Sequence, residues 1–531
     1  MDFVRKICKH HLLGSRGMGI LAVALIVSVA VFYLWANLHA PMQRDGAHFV
    51  FMANNIAHGQ PPYWASWEPK NPLVEIYWSP FLRFLGDEFG LIGAARIAET
   101  LWLTVTALLI FWTITHTARP CTEYTASITV AATLMALVYL ALALDVRTTD
   151  DGFNIALYQS LPELAVVALL LCRPAKKFFL HGLMVGVLIF LGWFVKQTSA
   201  LPGAVVIATW LITMRDRRVF SWLAGICVGA VAGLGLFWLH LAITGTTYNY
   251  LLGSIYRTSL IPTLLGEFFV NAKQSFSVHL WELPLAAFLT AHRVWTTIAM
   301  IIMIPLAAID LWVQRADRWS TRRVALLLCV AWMIGAWLQA VLSLLFFPHY
   351  FLASLAPVCA VAGILIANSR PLIRIPASIV AGLLVVLLLH SYQGMREVNI
   401  AAALQAPINR STQEVLRFIQ PKDKVFNYSG LPHVLVALGE PSAYPLNMNW
   451  PYIMNELPEA TKTNLLKQSL ADAPDVFIAM NEQYPTNQGL DNVMMTEERL
   501  KALTGHDYVL AGKTAPIPGR YGGEVSVFRR R

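Results

Sequence analysis

About eleven long apolar stretches, separated by short clusters of Lys and Arg, leave this chain very few ways to fold. A helix needs about 20 apolar residues to cross a bilayer. Inside lipid every backbone N–H and C=O must be satisfied within the segment, so only helices or closed barrels survive there. The stretches are helix-length, and the pattern predicts an α-helical polytopic membrane protein of about 11 transmembrane helices. Charged residues make up 13% of the chain, against about 25% in soluble proteins. A net charge of +9 would suit a nucleic-acid binder, but the basic residues fall between apolar blocks and form no single patch. That is the distribution of the positive-inside rule, and it excludes nucleic acid as a partner.

Arg5, Lys6, Lys9 and Arg16 precede the first apolar stretch, about Gly17 to Leu38, which ends in bulky residues and reads as a retained helix with its N-terminus inside. Further spans are expected at about Ala94 to Thr117, Tyr124 to Leu144 and Tyr158 to Cys172, followed by a tight hairpin around Lys196. The seventh runs from about Val219 to Thr244, and the eleventh from about Ile375 to Tyr392. Lys and Arg fall in every loop this order places inside, so the outer segments are about 39–93, 145–157 and 245–293. The division is then a membrane domain, 1–392, and an extracytoplasmic domain, 393–531. In the latter, strands near Lys424–Tyr428, Asp475–Met480, Tyr508–Ala511 and Gly523–Phe528 interleave with helical stretches, an α/β pattern without a glycine-rich phosphate loop. Six cysteines lie in or beside spans or in inside loops; they suggest neither disulfides nor zinc.

Charge is scarce at span centres and collects at their outer ends, where a lipid head group is handled; a transport path needs it at the midplane. Asp45, Lys70, Glu75, Arg147, Asp150, Asp151, Lys196, Arg257 and His349 make up this set. Several have a plainer reading. Asp45 precedes an amphipathic stretch and suits a helix cap, as do Asp150 and Asp151. Lys70 suits a snorkelling lysine. His349, Tyr350 and the tryptophans suit an interfacial belt.

The order of these landmarks resembles the C-class polytopic glycosyltransferases, in particular the family of protein O-mannosyltransferases and lipid A aminoarabinose transferases. That family has an acid after the first span, a helix ending in a Gly-x-x-Tyr-like turn, and a Lys-Pro-Pro-Leu-like element. Asp45, His58-Gly59-Gln60-Pro61-Pro62-Tyr63 and Lys70-Asn71-Pro72-Leu73 correspond. Asp150 or Asp151 stands for the family's second aspartate, Lys196 for its lysine between the fifth and sixth spans, and Arg257 for its arginine after the seventh. His349-Tyr350-Phe351-Leu352 through Pro357 echoes a Tyr-aliphatic-Pro element. Two departures are Gly46, where a second acid is frequent, and Asn71, in place of the middle proline.

The resemblance implies transfer of a sugar, with inversion, from a polyprenyl-phosphate donor to a hydroxyl of an envelope lipid, glycan or protein, at the outer face of the inner (plasma) membrane. It implies Asp45 as base, with Asp150 orienting the acceptor or helping to position Asp45, and Asp151 among the substrate-binding residues. Lys70, Lys196, Arg257, Tyr350 and His349 would meet the donor phosphate, and Tyr63 would line the sugar or lipid path. No cofactor is assigned; three acids without tight ligand spacing leave a divalent metal open. The rival readings are a flippase or transporter of a lipid-linked sugar and a non-catalytic envelope assembly protein.

Overall fold

The computed structural model describes residues 2–38, 40, 42, 44–66, 70–117, 125–145, 153–172, 177–213, 218–259, 292–313, 320–342, 348–368, 370–395, 409–429, 431–447, 459–482, 495–515 and 523–531. Helices dominate, as the apolar periodicity predicts. Among the described residues eight helices are long and apolar enough to cross a membrane, and three shorter apolar helices accompany them at Ile155–Leu171, Gln197–Thr213 and Pro371–Val386. The shorter ones stand where the fourth, sixth and eleventh spans are expected.

The chain forms two compact units: 1–38 with 96–237 and 263–396, and 39–95 with 238–262 and 397–531. These units cut across the compositional change near residue 392, because two stretches from between the spans belong with the C-terminal residues.

In the first unit, helix α1 (Asp2–Asn37) packs along helix Thr125–Leu144, and the amide of Asn37 donates to the carbonyl of Leu144 at 2.8 Å. Lipid tails are as apolar as leucine, so helices in a membrane associate through close packing more than through burial from water. Helices Phe178–Val195 and Val219–Thr244 meet in this way. A Cβ at Gly182 or Gly186 would run into the Trp222 or Ile226 carbonyl, and one at Gly225 or Gly229 into the Phe179 or Leu183 carbonyl. Two small-x-x-x-small faces thus lie backbone to backbone.

In the second unit, helix α2 (Arg44–Ala57) is buried on nearly every side and packs against helix Pro432–Leu438. The amphipathic stretch after Asp45 is therefore an interior helix of this unit. Its polar residues are satisfied by the C-terminal segment: Asn54 Nδ2 donates to the Gly439 carbonyl at 2.9 Å, and the Ser442 amide donates to Asn55 Oδ1 at 2.6 Å. Helix α3 (Leu73–His116) begins directly after Lys70-Asn71-Pro72, earlier than the span expected from Ala94, and kinks at Gly90, whose φ of 71° suits glycine. The expected outer loop of 39–93 is thus mostly helix.

The C-terminal sheet has the order β1 (Val425–Tyr428), β2 (Val476–Glu482), β4 (Gly523–Arg530), β3 (Tyr508–Lys513), with β1 and β2 parallel and the other pairs antiparallel. Alternation along the strands places Phe426, Phe477 and Phe528 in one core and Val425, Val476 and Val527 in another, so both faces are covered. The α/β alternation expected for this segment is present.

His433 gives the second unit a pH signature. Its Nε2–H donates to the Met42 carbonyl at 3.0 Å. Burial keeps the imidazole neutral and pushes its pKa down to about 4, with the Arg44 charge lowering it further. An unfolded histidine titrates near 6.5. Below that pH the unfolded chain takes up a proton the folded one refuses, so stability falls as pH drops from about 6.5 to about 4, by about 3 kcal/mol in all. Thermal unfolding followed from about pH 7 to about pH 4 should show this slope, and His433→Asn should flatten it; equal slopes in both proteins would refute the assignment.

Candidate functional site

The geometry around Asp45 follows from how the chain enters and leaves α2. Asp45 lies exposed in the first turn of the helix, not at the capping position before it. There its carboxylate faces the positive end of the helix dipole. Phe49, one turn on, shares that side of the helix. The Lys70 ammonium sits over the Phe49 ring, 4.6 Å from its centroid. Lys70, from the loop before α3, thus reaches the helix that carries Asp45, one turn further along it.

Tyr63 and Asn71 shape the segment between them. Tyr63 has a φ of 67°, rare for a residue with a bulky side chain. Three contacts hold it there: its hydroxyl donates to the Lys70 carbonyl at 2.8 Å, its own carbonyl accepts from Asn249 Nδ2 at 2.8 Å, and its ring lies 5.3 Å from that of Tyr250. Tyr63 is buried and therefore fixes the loop that presents Lys70. Asn71, which departs from the family's proline, accepts from the Tyr250 hydroxyl at 3.3 Å. A proline has no side-chain oxygen with which to hold that tyrosine. The loop is also stitched to the C-terminal residues: the amides of Leu446 and Asn447 donate to the carbonyls of Trp64 and Ala65 at 2.9 and 2.7 Å.

A second constellation is built within the first unit. Lys196 follows helix Phe178–Val195 in extended conformation and is buried, with its ammonium 3.8 Å from the centroid of the Tyr350 ring. Tyr350 lies on the short helix Pro348–Ser354, with the His349 ring edge-on to it at 4.7 Å. Three residues picked out in the sequence, Lys196, Tyr350 and His349, are therefore neighbours.

The structure adds Glu163, which the sequence reading passed over. Its carboxylate accepts from Ser199 Oγ at 2.6 Å and from Trp332 Nε1 at 2.7 Å, and lies within electrostatic reach of Lys196. A lone acid in the apolar run Ser160–Leu171 was the available signal, since ionisable residues among apolar helices are seldom idle. Glu163 stands in the first turn of that helix, so it adds to the charge at span ends and not at span centres, as do Arg96 and Glu99 near the start of the expected second span. They form a buried ion pair at 3.1 Å in α3. The other oxygen of Glu99 accepts the Phe153 amide at 2.7 Å, and the Arg96 guanidinium covers the Phe153 ring at 4.1 Å. Phe153, at a φ of 59°, is thereby pinned immediately after the segment that carries Asp150 and Asp151.

Asp150 and Asp151 themselves lie outside the described residues. Arg257 falls in helix Thr247–Ser259, and its side chain is outside them too. Among the described residues no group of three His, Cys, Asp or Glu is placed to hold a metal ion.

No family model matches this chain. No curated protein matches it either. Solved structures do match, among them two of ArnT from Cupriavidus metallidurans. The one bound to undecaprenyl phosphate is 14% identical, with 96% of this chain and 98% of that chain covered at a TM-score of 0.55. The one in the apo state is 12% identical, with 95% and 97% covered at a TM-score of 0.50. At such identity the match speaks for fold alone, and it runs nearly end to end: this chain is a polytopic membrane protein with the fold of ArnT, the C-class fold that its sequence landmarks imply.

Proposed function

We propose that this protein is a membrane glycosyltransferase that moves a sugar from a polyprenyl-phosphate donor to a hydroxyl of an envelope lipid, glycan or protein. The observation that carries the reading is the buried Lys196 ammonium, held against Tyr350 at the end of an apolar helix, in a chain sharing its fold with a protein crystallised with undecaprenyl phosphate. The reaction runs on the outer face, with the N-terminus cytoplasmic and residues 393–531 extracytoplasmic, as the distribution of Lys and Arg supports.

Departure of the donor phosphate leaves negative charge on its oxygens. A fixed cation in a water-poor setting stabilises that charge far more than water does. Lys196 takes this role, with Tyr350 and His349 beside it, and Lys70 and Arg257 are the further cations assigned to the phosphate. Asp45 removes the acceptor hydroxyl's proton as the new glycosidic bond forms, with Asp150 orienting the acceptor or helping to position Asp45. One displacement at the anomeric carbon inverts its configuration. Tyr63 serves by holding the loop that carries Lys70.

The test is to incubate the purified protein in nanodiscs with polyprenyl-phosphate sugar and an envelope extract, and to follow products by mass spectrometry. A new glycosidic bond, absent without the protein, is the expected result. Movement of the intact donor across sealed vesicles with no such product would identify a transporter instead.

A further inference from the structure

Lys196 owes its place to three residues that the chemistry above leaves without a role: Ser199, Glu163 and Trp332. Its backbone is extended between helix Phe178–Val195 and the short 3₁₀ turn Gln197–Ser199. Two hydrogen bonds hold that backbone. The Lys196 amide donates to the Gly192 carbonyl at 3.1 Å, and the Ser199 amide donates to the Lys196 carbonyl at 2.9 Å. The first belongs to the end of the helix. The second ties the position of Lys196 to that of Ser199.

Ser199 is itself anchored. Its Oγ donates to Glu163 Oε1 at 2.6 Å, and Trp332 Nε1 donates to Glu163 Oε2 at 2.7 Å. All three side chains are buried, as is Lys196. The backbone makes room for this arrangement at two glycines. A Cβ at Gly192 would stand 2.9 Å from Ser199 Oγ, so glycine leaves the hydroxyl its path to Glu163. A Cβ at Gly335, one turn on from Trp332, would stand 2.7 Å from the Cα of Pro202, one turn on from Ser199. Helices Ser160–Leu171, Phe178–Val195 and Thr321–Leu342 thus converge on one serine.

Packing alone does not ask for an acid at position 163, since an ionisable group is costly to bury. A carboxyl group supplies an oxygen to each of two donors, which an apolar side chain does not. It also lies within electrostatic reach of Lys196. We propose that Glu163 is a positioning residue of the donor-phosphate site: through Ser199 it fixes the backbone of Lys196, and with it the ammonium over Tyr350. Trp332 fixes Glu163 in turn. An ammonium already in place loses little freedom when the phosphate arrives, so it binds more tightly than a mobile one. The inference rests on the reading of Lys196 as a cation for that phosphate.

A double-mutant cycle on affinity for undecaprenyl phosphate tests it. The full-length protein is placed in nanodiscs with graded mole fractions of that lipid, and occupancy is read by native mass spectrometry, with thermal unfolding monitored to establish that each variant is folded. Lys196→Met should weaken binding about tenfold or more. Ser199→Ala, which leaves Lys196, Tyr350 and Glu163 in place, should weaken it about fivefold. Glu163→Asp keeps the acid but withdraws its oxygens by a methylene, and should weaken it by about the same factor. In the Lys196→Met background neither change should weaken binding further, because the group they position is gone. A merely structural role would lower affinity in both backgrounds alike. Thr209→Ala, which deletes a hydroxyl that donates to the Val205 carbonyl of its own helix, should bind as wild type. Wild-type affinity in either Ser199→Ala or Glu163→Asp, or an equal loss in both backgrounds, overturns the role of Glu163 and leaves Lys196 on the phosphate. No binding by the wild type, or wild-type affinity in Lys196→Met, overturns the phosphate reading and this inference with it.

Discussion

Asp45→Asn should lower kcat for sugar transfer by about 10²- to 10⁴-fold, the range by which a positioned general base accelerates a reaction. The amide has the shape of the carboxylate but does not take a proton from the acceptor. Donor affinity should hardly change, because the loss falls on the transition state and not on the bound ground state. The fold should survive: Asp45 is exposed in the first turn of α2, where its charge contributes at most about 1 kcal/mol through the helix dipole. Single-turnover rates of the two proteins with saturating donor make the comparison. Transfer at near wild-type rate by the asparagine variant would remove Asp45 from the mechanism.

Lys196→Met should cost about 10²- to 10³-fold in kcat, as the loss of a fixed stabilising group typically does. The single substitution has a second consequence. It also removes the cation within electrostatic reach of the buried Glu163 carboxyl, which lowers stability as well. A fall in activity alone therefore does not separate chemistry from folding. Lys196→Met/Glu163→Gln removes both charges, and the glutamine keeps an acceptor for Ser199 and Trp332. The double variant should regain thermal stability while remaining inactive. Recovery of transfer along with stability would make Lys196 a structural partner of Glu163 and nothing more.

The architecture was legible because membrane insertion writes itself locally. Gly17 to Leu38 and Val219 to Thr244 are read as spans from composition and length, and helices end at Asn37 and at Thr244. The strands around Val425, Val476, Tyr508 and Gly523 were equally plain from short apolar runs between turn residues. The reach of α3 was not. Residues 73–93 mix Pro80, Arg83, Asp87 and three glycines with apolar residues, and that composition reads as loop. Tertiary packing makes it helix and confines the break to Gly90.

The site was legible only in its outline. Lys196 and Tyr350 were singled out one at a time, from the order of charged and aromatic landmarks. That the ammonium of one lies on the ring of the other is a fact about two segments 154 residues apart, and no local pattern encodes it. Glu163 escaped notice for the complementary reason: a single acid among leucines and valines looks tolerable in sequence, and its weight appears only when Ser199 and Trp332 converge on it. Asn54 and Asn55 likewise look like the polar side of a surface helix until Gly439 and Ser442 close over them.

By itself, then, the sequence determined the solvent of each segment, because burying a long apolar stretch in lipid is a free-energy term that adds up residue by residue along the chain. It also determined which groups were available for chemistry and in what order. The tertiary structure alone decided which of those groups became neighbours and which polar atoms found partners. Electrostatic and hydrogen-bond energies depend on distances of a few ångströms between residues remote in sequence, and only the packed fold sets those distances.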